Sequence, residues 1–461
     1  LQTKIKKGHD KQAHNEEKTN NIKWLKQMKF EMRFLDECHY GGVSELAKKT
    51  LEYYGNKVFT VYVTATYHKP IHSLNIPEKC ICLWDMEDIK LCKNINIPKN
   101  KARLIEKHGE EFHELISEYS EENIMEEYNK FPEMVVLVDD FTKSVFAGLD
   151  KRNQVEGCEN DGCNVETCFL MNEDMTTFQS EDHVLDIFYR IFGKIIPDEF
   201  GGYPDPKYPK KNVHMERINS YCKKNNSRYI GTGEFENEPM IIMCFLPLNI
   251  NIGKISKATK KLLEDKHVID DYHIVCINGQ EDGEALERIE KARTIAKNEG
   301  KKGVLVLSGK QCSLAATITH CDITILLNGV NAYDMLSQMR QRCMSKEKNK
   351  KFGFVIDLNT HRQINHIIDY ASCIMPKKHP KKALKYVLEE RLVNLNSDHY
   401  IPLEELCNTV WESYTSRLNG ALDNTLHNFK LKYDLFLEED KKHLATILNN
   451  VNKSKKQRNK Y

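Results

Sequence analysis

The 461-residue sequence contains no run of about eighteen apolar residues, so it predicts no transmembrane helix. Its first residues are lysine-rich rather than apolar, which argues against a secretory signal. The formal net charge is only +1, so the electrostatic field of the whole chain does not indicate a nucleic-acid partner. A basic surface that binds nucleic acid would have to be local. An initiator methionine is also missing, which we expect of a fragment or a processed product.

The cysteines follow neither a small disulfide framework nor a zinc ribbon. There are 15 of them, and this odd number in a long chain indicates a reducing, intracellular compartment. Three of them stand five residues apart instead of in the pairs of a zinc ribbon: Cys158, Cys163 and Cys168. Cys244, Cys276 and Cys321 lie in apolar runs, where we expect buried thiols. A zinc site is the less favoured alternative.

A nucleotide-binding phosphate loop of the form Gly-x₄-Gly-Lys-Ser/Thr does not occur in the sequence. Ser308-Gly309-Lys310-Gln311 resembles one, because it follows an apolar strand-like run. However, five residues rather than four separate Gly303 from Gly309, and Gln311 replaces the residue that would bind Mg²⁺. Lys310 is therefore not predicted to be the nucleotide lysine.

The chain does contain an acidic turn after a predicted strand. Apolar side chains at Phe30, Met32, Phe34 and Leu35 predict that strand. Asp36 and Glu37 follow it, at the edge where an α/β sheet places its ligand chemistry. Asp36 could hold Mg²⁺ through water, since Mg²⁺ prefers oxygen ligands and keeps several waters. Glu37 could orient or deprotonate the water that attacks a γ-phosphate. A solvated acidic turn is the alternative.

A second apolar run, Val58–Val63, ends in Thr64-Ala65-Thr66. Asp36-Glu37-Cys38-His39 resembles motif II of the superfamily 2 helicases, and Thr64-Ala65-Thr66 resembles their motif III. The most similar subgroup is the helicase-like ATPases of large DNA viruses, with kinship to the motor subunits of restriction enzymes.

The second half of the chain carries further resemblances to this superfamily. Residues 309–322 resemble motif V, with Ala315-Ala316-Thr317 where helicases often have Gly-x-Asp. Residues 338–345 resemble motif VI, in which Gln338 and Arg342 fit the first half of Gln-x-x-Gly-Arg-x-x-Arg. Ser345 occupies the position of the second arginine in this motif. Arg342 is therefore the first choice for the arginine finger, which neutralises charge on the γ-phosphate, and Arg340 is the second choice. A basic solvated helix is the alternative.

The resemblance implies two RecA-like lobes with ATP and Mg²⁺ between them and a nucleic acid, DNA in preference to RNA, across both. It assigns catalytic roles to Asp36, Glu37, His39, Gln338 and Arg342. It assigns nucleic-acid contact or coupling to Thr64, Ala65, Thr66, Lys310 and Thr317. Since only 35 residues precede Asp36, the strand and helix of a phosphate loop do not fit there. We therefore expect an incomplete first lobe and background ATP turnover from this chain alone.

Strand-like and helix-like patterns alternate, which predicts an α/β fold with parallel sheets. The expected domains are a first lobe at 1–135, a connector at 136–237, a second lobe at 238–375 and a helical extension at 376–461. Helices are expected over 101–128, 184–192, 256–265 and 283–298. Strands are expected over Lys79–Trp84, Met134–Val138, Met240–Pro247, Tyr272–Ile277, Gly303–Leu307, Ile323–Leu327 and Phe352–Leu358.

Two other functions remain open on the sequence. A nucleic-acid-binding or scaffold protein could keep this fold without ATPase activity, and the absent phosphate loop favours that alternative. The motor of a restriction-type nuclease would need a separate Asp…Glu-x-Lys site, for which the sequence gives no convincing candidate.

Overall fold

The fold is α/β and is built on parallel sheets, which confirms the predicted class. The computed structural model describes residues 31–35, 58–64, 76–137, 165–200, 202–225, 239–247, 252–278, 284–309, 318, 320–346, 350–375, 378–396 and 401–415. Within this part of the chain, a seven-stranded sheet forms the largest element.

Strands of the large sheet all pair in parallel, in the order β11-β3-β10-β9-β6-β8-β7. They are β3 (Glu133–Leu137), β6 (Met240–Phe245), β7 (Tyr272–Ile277), β8 (Gly303–Ser308), β9 (Cys321–Leu326), β10 (Phe352–Asp357) and β11 (Asn394–Asn396). The strands predicted from 134 onward are thus confirmed, with bounds that differ by two residues or fewer.

Both faces of this sheet are covered, which is why its central strands are continuously apolar. In β6 every residue is buried, and Ile241 points to one face while Ile242 points to the other. The first face packs against α8 (Ala285–Asn298), α9 (Tyr333–Arg340), α10 (Thr360–Ile374) and α11 (Pro380–Glu389). The second face packs against α5 (Glu181–Phe192), α6 (His214–Lys224) and α7 (Ile252–Asp265). The helices predicted at 184–192, 256–265 and 283–298 are confirmed as α5, α7 and α8.

β3 is bonded into the same sheet as the strands of 240–357. Val135 lies opposite Phe354 of β10 and opposite Asn394 of β11. The boundary expected between residues 135 and 136 therefore falls inside a strand of the large sheet. Because strand pairing joins residues more than two hundred positions apart here, the local pattern could not reveal it.

Two local predictions are wrong. Lys79–Trp84 is not a strand: Glu78–Cys80 forms one 3₁₀ turn and residues 81–85 are irregular. The chain after 376 is also not purely helical, since β11 adds an edge strand beside β3. β11 is three residues long, too short for an alternating pattern to identify it.

Helices α1 to α4 form a separate small core beside the sheet. They are α1 (Met86–Lys93), α2 (Pro98–His108), α3 (Glu110–Tyr119) and α4 (Glu121–Asn129). Buried Leu91, Ile95 and Leu104 hold them together. The helical structure predicted over 101–128 is confirmed, but it is divided into three helices. Gly109 and Ser120 have positive φ angles and separate each helix from the next.

Two small sheets complete the described strands. β1 (Met32–Leu35) and β2 (Phe59–Tyr62) pair in parallel, as expected for the strands before the two motif-like segments. β4 (Ile195–Ile196) and β5 (Tyr203–Pro204) form an antiparallel pair.

The described part of the chain contains no helix long and apolar enough to cross a membrane. The cysteines predicted to be core residues are buried, and burial raises the pKa values of the Cys244, Cys276 and Cys321 thiols. Among the described residues, no group of three or more His, Cys, Asp or Glu side chains is placed to hold a metal ion.

Candidate functional site

The carboxyl ends of β1 and β2, which precede the two motif-like segments of the first half, lie side by side. Leu35, the residue before Asp36, lies opposite Tyr62, and the Val63 N–H donates to the Leu35 carbonyl oxygen at 2.9 Å. Thr64 follows directly and is half-buried. Because the strands are parallel, the segments beginning at Asp36 and Thr64 leave the same edge of one sheet.

Most of the predicted site residues themselves lie outside the described residues. They are Asp36, Glu37, His39, Ala65, Thr66, Lys310 and Thr317. The predicted contacts among them, and between them and the second half of the chain, stay predictions.

Gly309 is packed closely against α7. A β-carbon there would meet Cγ1 of Ile252 at 2.6 Å, and neighbouring Ser308 is fully buried at the end of β8. This close approach gives a packing reason for the glycine of the Ser308-Gly309-Lys310 segment.

Gln338 and Arg342 lie where α9 gives way to a 3₁₀ turn, Gln341–Met344. Gln338 is buried in α9, whereas Arg342 is half-buried. Arg342 and Arg340 line a pocket of about 420 Å³, but Gln338 does not. The structure therefore places the two candidate arginines, and not the glutamine, on one cavity.

Arg340 is connected through a histidine to its own helix. Its Nη1 donates to Nδ1 of His366 at 2.6 Å, and Nε2 of His366 lies 2.9 Å from Oγ of Ser337. Surrounding protein, and then Arg340 and Arg362, hold the pKa of His366 well below its usual value. The imidazole is thus neutral, which leaves Nδ1 free to accept and Nε2–H to donate.

A buried ion pair that the sequence reasoning missed joins the carboxyl ends of β9 and β10. Arg362 donates from Nε and Nη2 to the two oxygens of Asp357, at 3.1 and 2.8 Å. Its Nη1 also donates to Oδ1 of Asn328 at 3.1 Å and to the carbonyl oxygen of Val330 at 3.2 Å. This fork geometry fixes the loop that leads into α9. An aspartate that ends an apolar strand shortly before an arginine was the available signal.

Gly353 allows the 3₁₀ turn that carries Arg342 to lie directly on β10. A β-carbon on Gly353 would collide with the carbonyl oxygen of Cys343 and lie 3.1 Å from its Sγ. Cys343 is fully buried, and burial raises the pKa of its thiol to about 11.

Comparison with known proteins gives weak structural similarities only. No protein-family profile and no curated protein matches the sequence. An HsdR subunit fragment of a type I restriction enzyme from Vibrio vulnificus aligns with 75% of this chain at 11% identity and a TM-score of 0.38. S. cerevisiae Dbp5 bound to RNA and ADP BeF3 aligns with 85% at 8% identity and a TM-score of 0.34.

The ATP-dependent type ISP restriction-modification enzyme LlaBIII, bound to DNA, aligns with 86% of this chain at 12% identity and a TM-score of 0.35. The alignments span 47% of the HsdR chain, 66% of Dbp5 and 23% of LlaBIII. At these TM-scores, none of the three assigns a role to a residue of this chain.

Proposed function

We propose that the chain provides parts of an ATP-dependent nucleic-acid helicase or translocase of superfamily 2, related to the helicase-like ATPases of large DNA viruses. The observation that carries the proposal is the parallel pairing of β1 with β2. The strands that precede Asp36-Glu37-Cys38-His39 and Thr64-Ala65-Thr66 thus end at one sheet edge. Parallel sheets bind ligands at that edge.

Each acidic residue has a distinct role in this proposal. Asp36 offers the hard carboxylate oxygens that suit Mg²⁺, which would neutralise phosphate charge when bound. Glu37 orients and deprotonates the attacking water. His39 is the third proposed catalytic residue of this segment. Thr64, Ala65 and Thr66 transmit closure to the nucleic-acid path.

Arg342 is the proposed finger from the second half of the chain. A guanidinium stabilises charge on a γ-phosphate through planar, charge-assisted hydrogen bonds. Arg342 is half-buried on a pocket wall, and Arg362 holds the loop before α9 through a buried ion pair. Gln338, on the preceding turn, is the proposed contact to the nucleotide or water. Lys310 and Thr317 are proposed to contact the nucleic acid.

The test is Glu37→Gln in the intact protein. ATP affinity should change little, while turnover falls by about 10²- to 10⁴-fold, because a general base is lost and the shape is kept. Glu31→Gln, at an exposed position directly before β1, is the control and should leave turnover unchanged. Unchanged turnover in Glu37→Gln would reject the assignment.

A nucleic-acid-binding protein without ATPase activity is the second candidate, favoured by the lack of a phosphate loop in the sequence. Phosphate loops hold the β- and γ-phosphates with backbone N–H groups and a lysine. This candidate predicts salt-sensitive nucleic-acid binding with no ATP turnover in the intact wild-type protein. Turnover that nucleic acid stimulates and Glu37→Gln abolishes would decide for the helicase.

A further inference from the structure

A pocket lies on the face of the large sheet that is covered by α9 and α10, under the beginning of α1. Its volume of about 420 Å³ is within the range of small-molecule sites, about 300–1,000 Å³. Trp84, Met86 and Ile89 line it from the α1 side, while Val136 and Leu392 line it from the sheet side. These walls offer a mainly apolar surface to a bound molecule.

One charged side chain in the wall of this pocket lacks a full set of partners. Arg340 is 1% exposed, and only its Nη1 is engaged, by His366. Within the described residues, its Nε and Nη2 have no hydrogen-bond partner. A guanidinium keeps its charge in proteins, and a buried charge without a counter-ion is costly.

Two nearby carboxylates, Asp357 and Asp85, already bind other groups. Both oxygens of Asp357 accept from Arg362. Asp85, in the pocket wall, caps α1 by accepting from the backbone N–H groups of Glu87 and Asp88, and lies 3.6 Å from Nζ of Lys107. Asp357 is also the carboxylate whose charge acts most strongly on Arg340. Within the described residues one carboxylate thus faces two buried guanidiniums, and a surplus of positive charge is left for a group that the pocket takes up.

We propose that the pocket binds a small amphipathic anion, an organic carboxylate or phosphate monoester whose head pairs with Arg340 and whose apolar body lies against Trp84, Ile89 and Leu392. Arg342, in the same wall, adds a second positive charge. His366 and Ser337 hold the Arg340 guanidinium in place.

The pocket fits a singly headed anion better than a nucleoside triphosphate. Two arginines could not balance the charge of a triphosphate in a mainly apolar wall, and Asp85 would repel it. The wall of this pocket includes Arg342, the proposed finger, so the anion site would adjoin the proposed ATP site. Pairing of the anion with Arg340 does not rest on the proposed function.

The experiment is calorimetric titration of the whole chain with three probes of one apolar length: octyl phosphate, octanoate and 1-octanol. Saturable one-to-one binding of at least one anion is expected, with 1-octanol at least about tenfold weaker, because a charge-assisted hydrogen bond is lost. The preference between octyl phosphate and octanoate identifies the head group. Equal affinity for 1-octanol and both anions, or no saturable binding, would overturn the proposal.

Two variants locate the site. Arg340→Met should reduce the affinity for the anions about tenfold or more, to that of 1-octanol. Arg190→Met, at an exposed position of α5, is the control and should leave the affinity for all three probes unchanged. Ile89→Trp, which fills the pocket, should lower the affinity for all three probes. Unchanged anion preference in a folded Arg340→Met chain would refute the assignment. If that variant does not fold, the wild-type preference and the Ile89→Trp result decide.

Discussion

Arg340 and Arg342 are two residues apart, yet they have different surroundings. Arg340 is fully buried and bonded to His366, whereas Arg342 is half-buried on the 3₁₀ turn after α9. Burial disfavours the charged form of Arg340 and lowers its pKa. A finger has to reach a phosphate across a cleft, so the more accessible Arg342 is the better candidate.

Arg342→Ala in the intact protein should lower kcat on the order of 10³-fold or more, with a smaller change in nucleotide affinity. The finger stabilises charge that develops mainly in the transition state. Single-turnover ATP hydrolysis and nucleotide titration separate the two effects. Arg190→Ala is the surface control, and a loss confined to nucleotide affinity would contradict the finger role.

His366 makes folding sensitive to pH. Its pKa is lowered in the folded chain, so below about pH 6.5 the unfolded chain takes up a proton that the folded chain does not. The free energy of unfolding should therefore fall as the pH decreases from 7 to 5, by at most about 1.4 kcal/mol per pH unit from this residue. Above about pH 6.5, His366 is neutral in both the folded and the unfolded chain, so it no longer makes the free energy of unfolding depend on pH.

In His366→Gln, the free energy of unfolding should decrease less steeply as the pH falls from 7 to 5. Glutamine can accept a hydrogen bond from Arg340 and donate one to Ser337, but it does not titrate. Denaturant unfolding curves at several pH values measure the effect. His113→Gln, at an exposed position of α3, should keep the wild-type slope. Identical slopes for His366→Gln and wild type would show that His366 does not cause the pH dependence.

At the scale of elements, the contact of the Gln341–Met344 turn with β10 positions Arg342. The turn can lie on the strand only because Gly353 has no side chain. The same turn contacts β9, so it is held between the two strands that lead into α9 and α10.

Gly353→Ala should lower the free energy of unfolding by about 1–3 kcal/mol or more, because the added methyl collides with backbone. It should also expose the Cys343 thiol to alkylation in the native state, which peptide mass spectrometry can follow. Gly300→Ala has open space around its β-carbon and should leave Cys343 protected, although its positive φ costs some stability. Protection of Cys343 in Gly353→Ala would show that the turn does not depend on this contact.

For the whole molecule, a net charge of +1 leaves little long-range attraction for nucleic acid. Binding therefore has to come from local phosphate contacts, and its affinity should decrease steeply between about 50 and 200 mM salt. Anisotropy titrations with matched DNA and RNA strands measure this slope and the preference between them.

Lys310→Gln should reduce the slope by about 0.7 if Lys310 neutralises one phosphate of a single strand. Lys254→Gln, near the start of α7, is the comparison that should leave the slope unchanged. A flat salt dependence in the wild type would favour a protein partner instead.

Prediction from the sequence was most successful where the signal is local. Tyr272–Ile277 has the predicted bounds because an apolar β-branched run with polar ends identifies a buried strand. It failed for Lys79–Trp84, where Trp84 packs against Phe112 of α3 and the segment pairs with no described strand. The Arg362–Asp357 pair was not foreseen, since the sequence alone does not show that both side chains are buried.

The sequence by itself determined the α/β class, the positions of most central strands and the two motif-like segments, because hydrophobic period and short spacing depend on neighbouring residues. Only the tertiary structure decided that β3 belongs to the large sheet, that Arg340 and Arg342 share a pocket, and that His366 is neutral. Strand pairing, cavity shape and desolvation depend on residues far apart in the chain. No pattern within a short window contains that information.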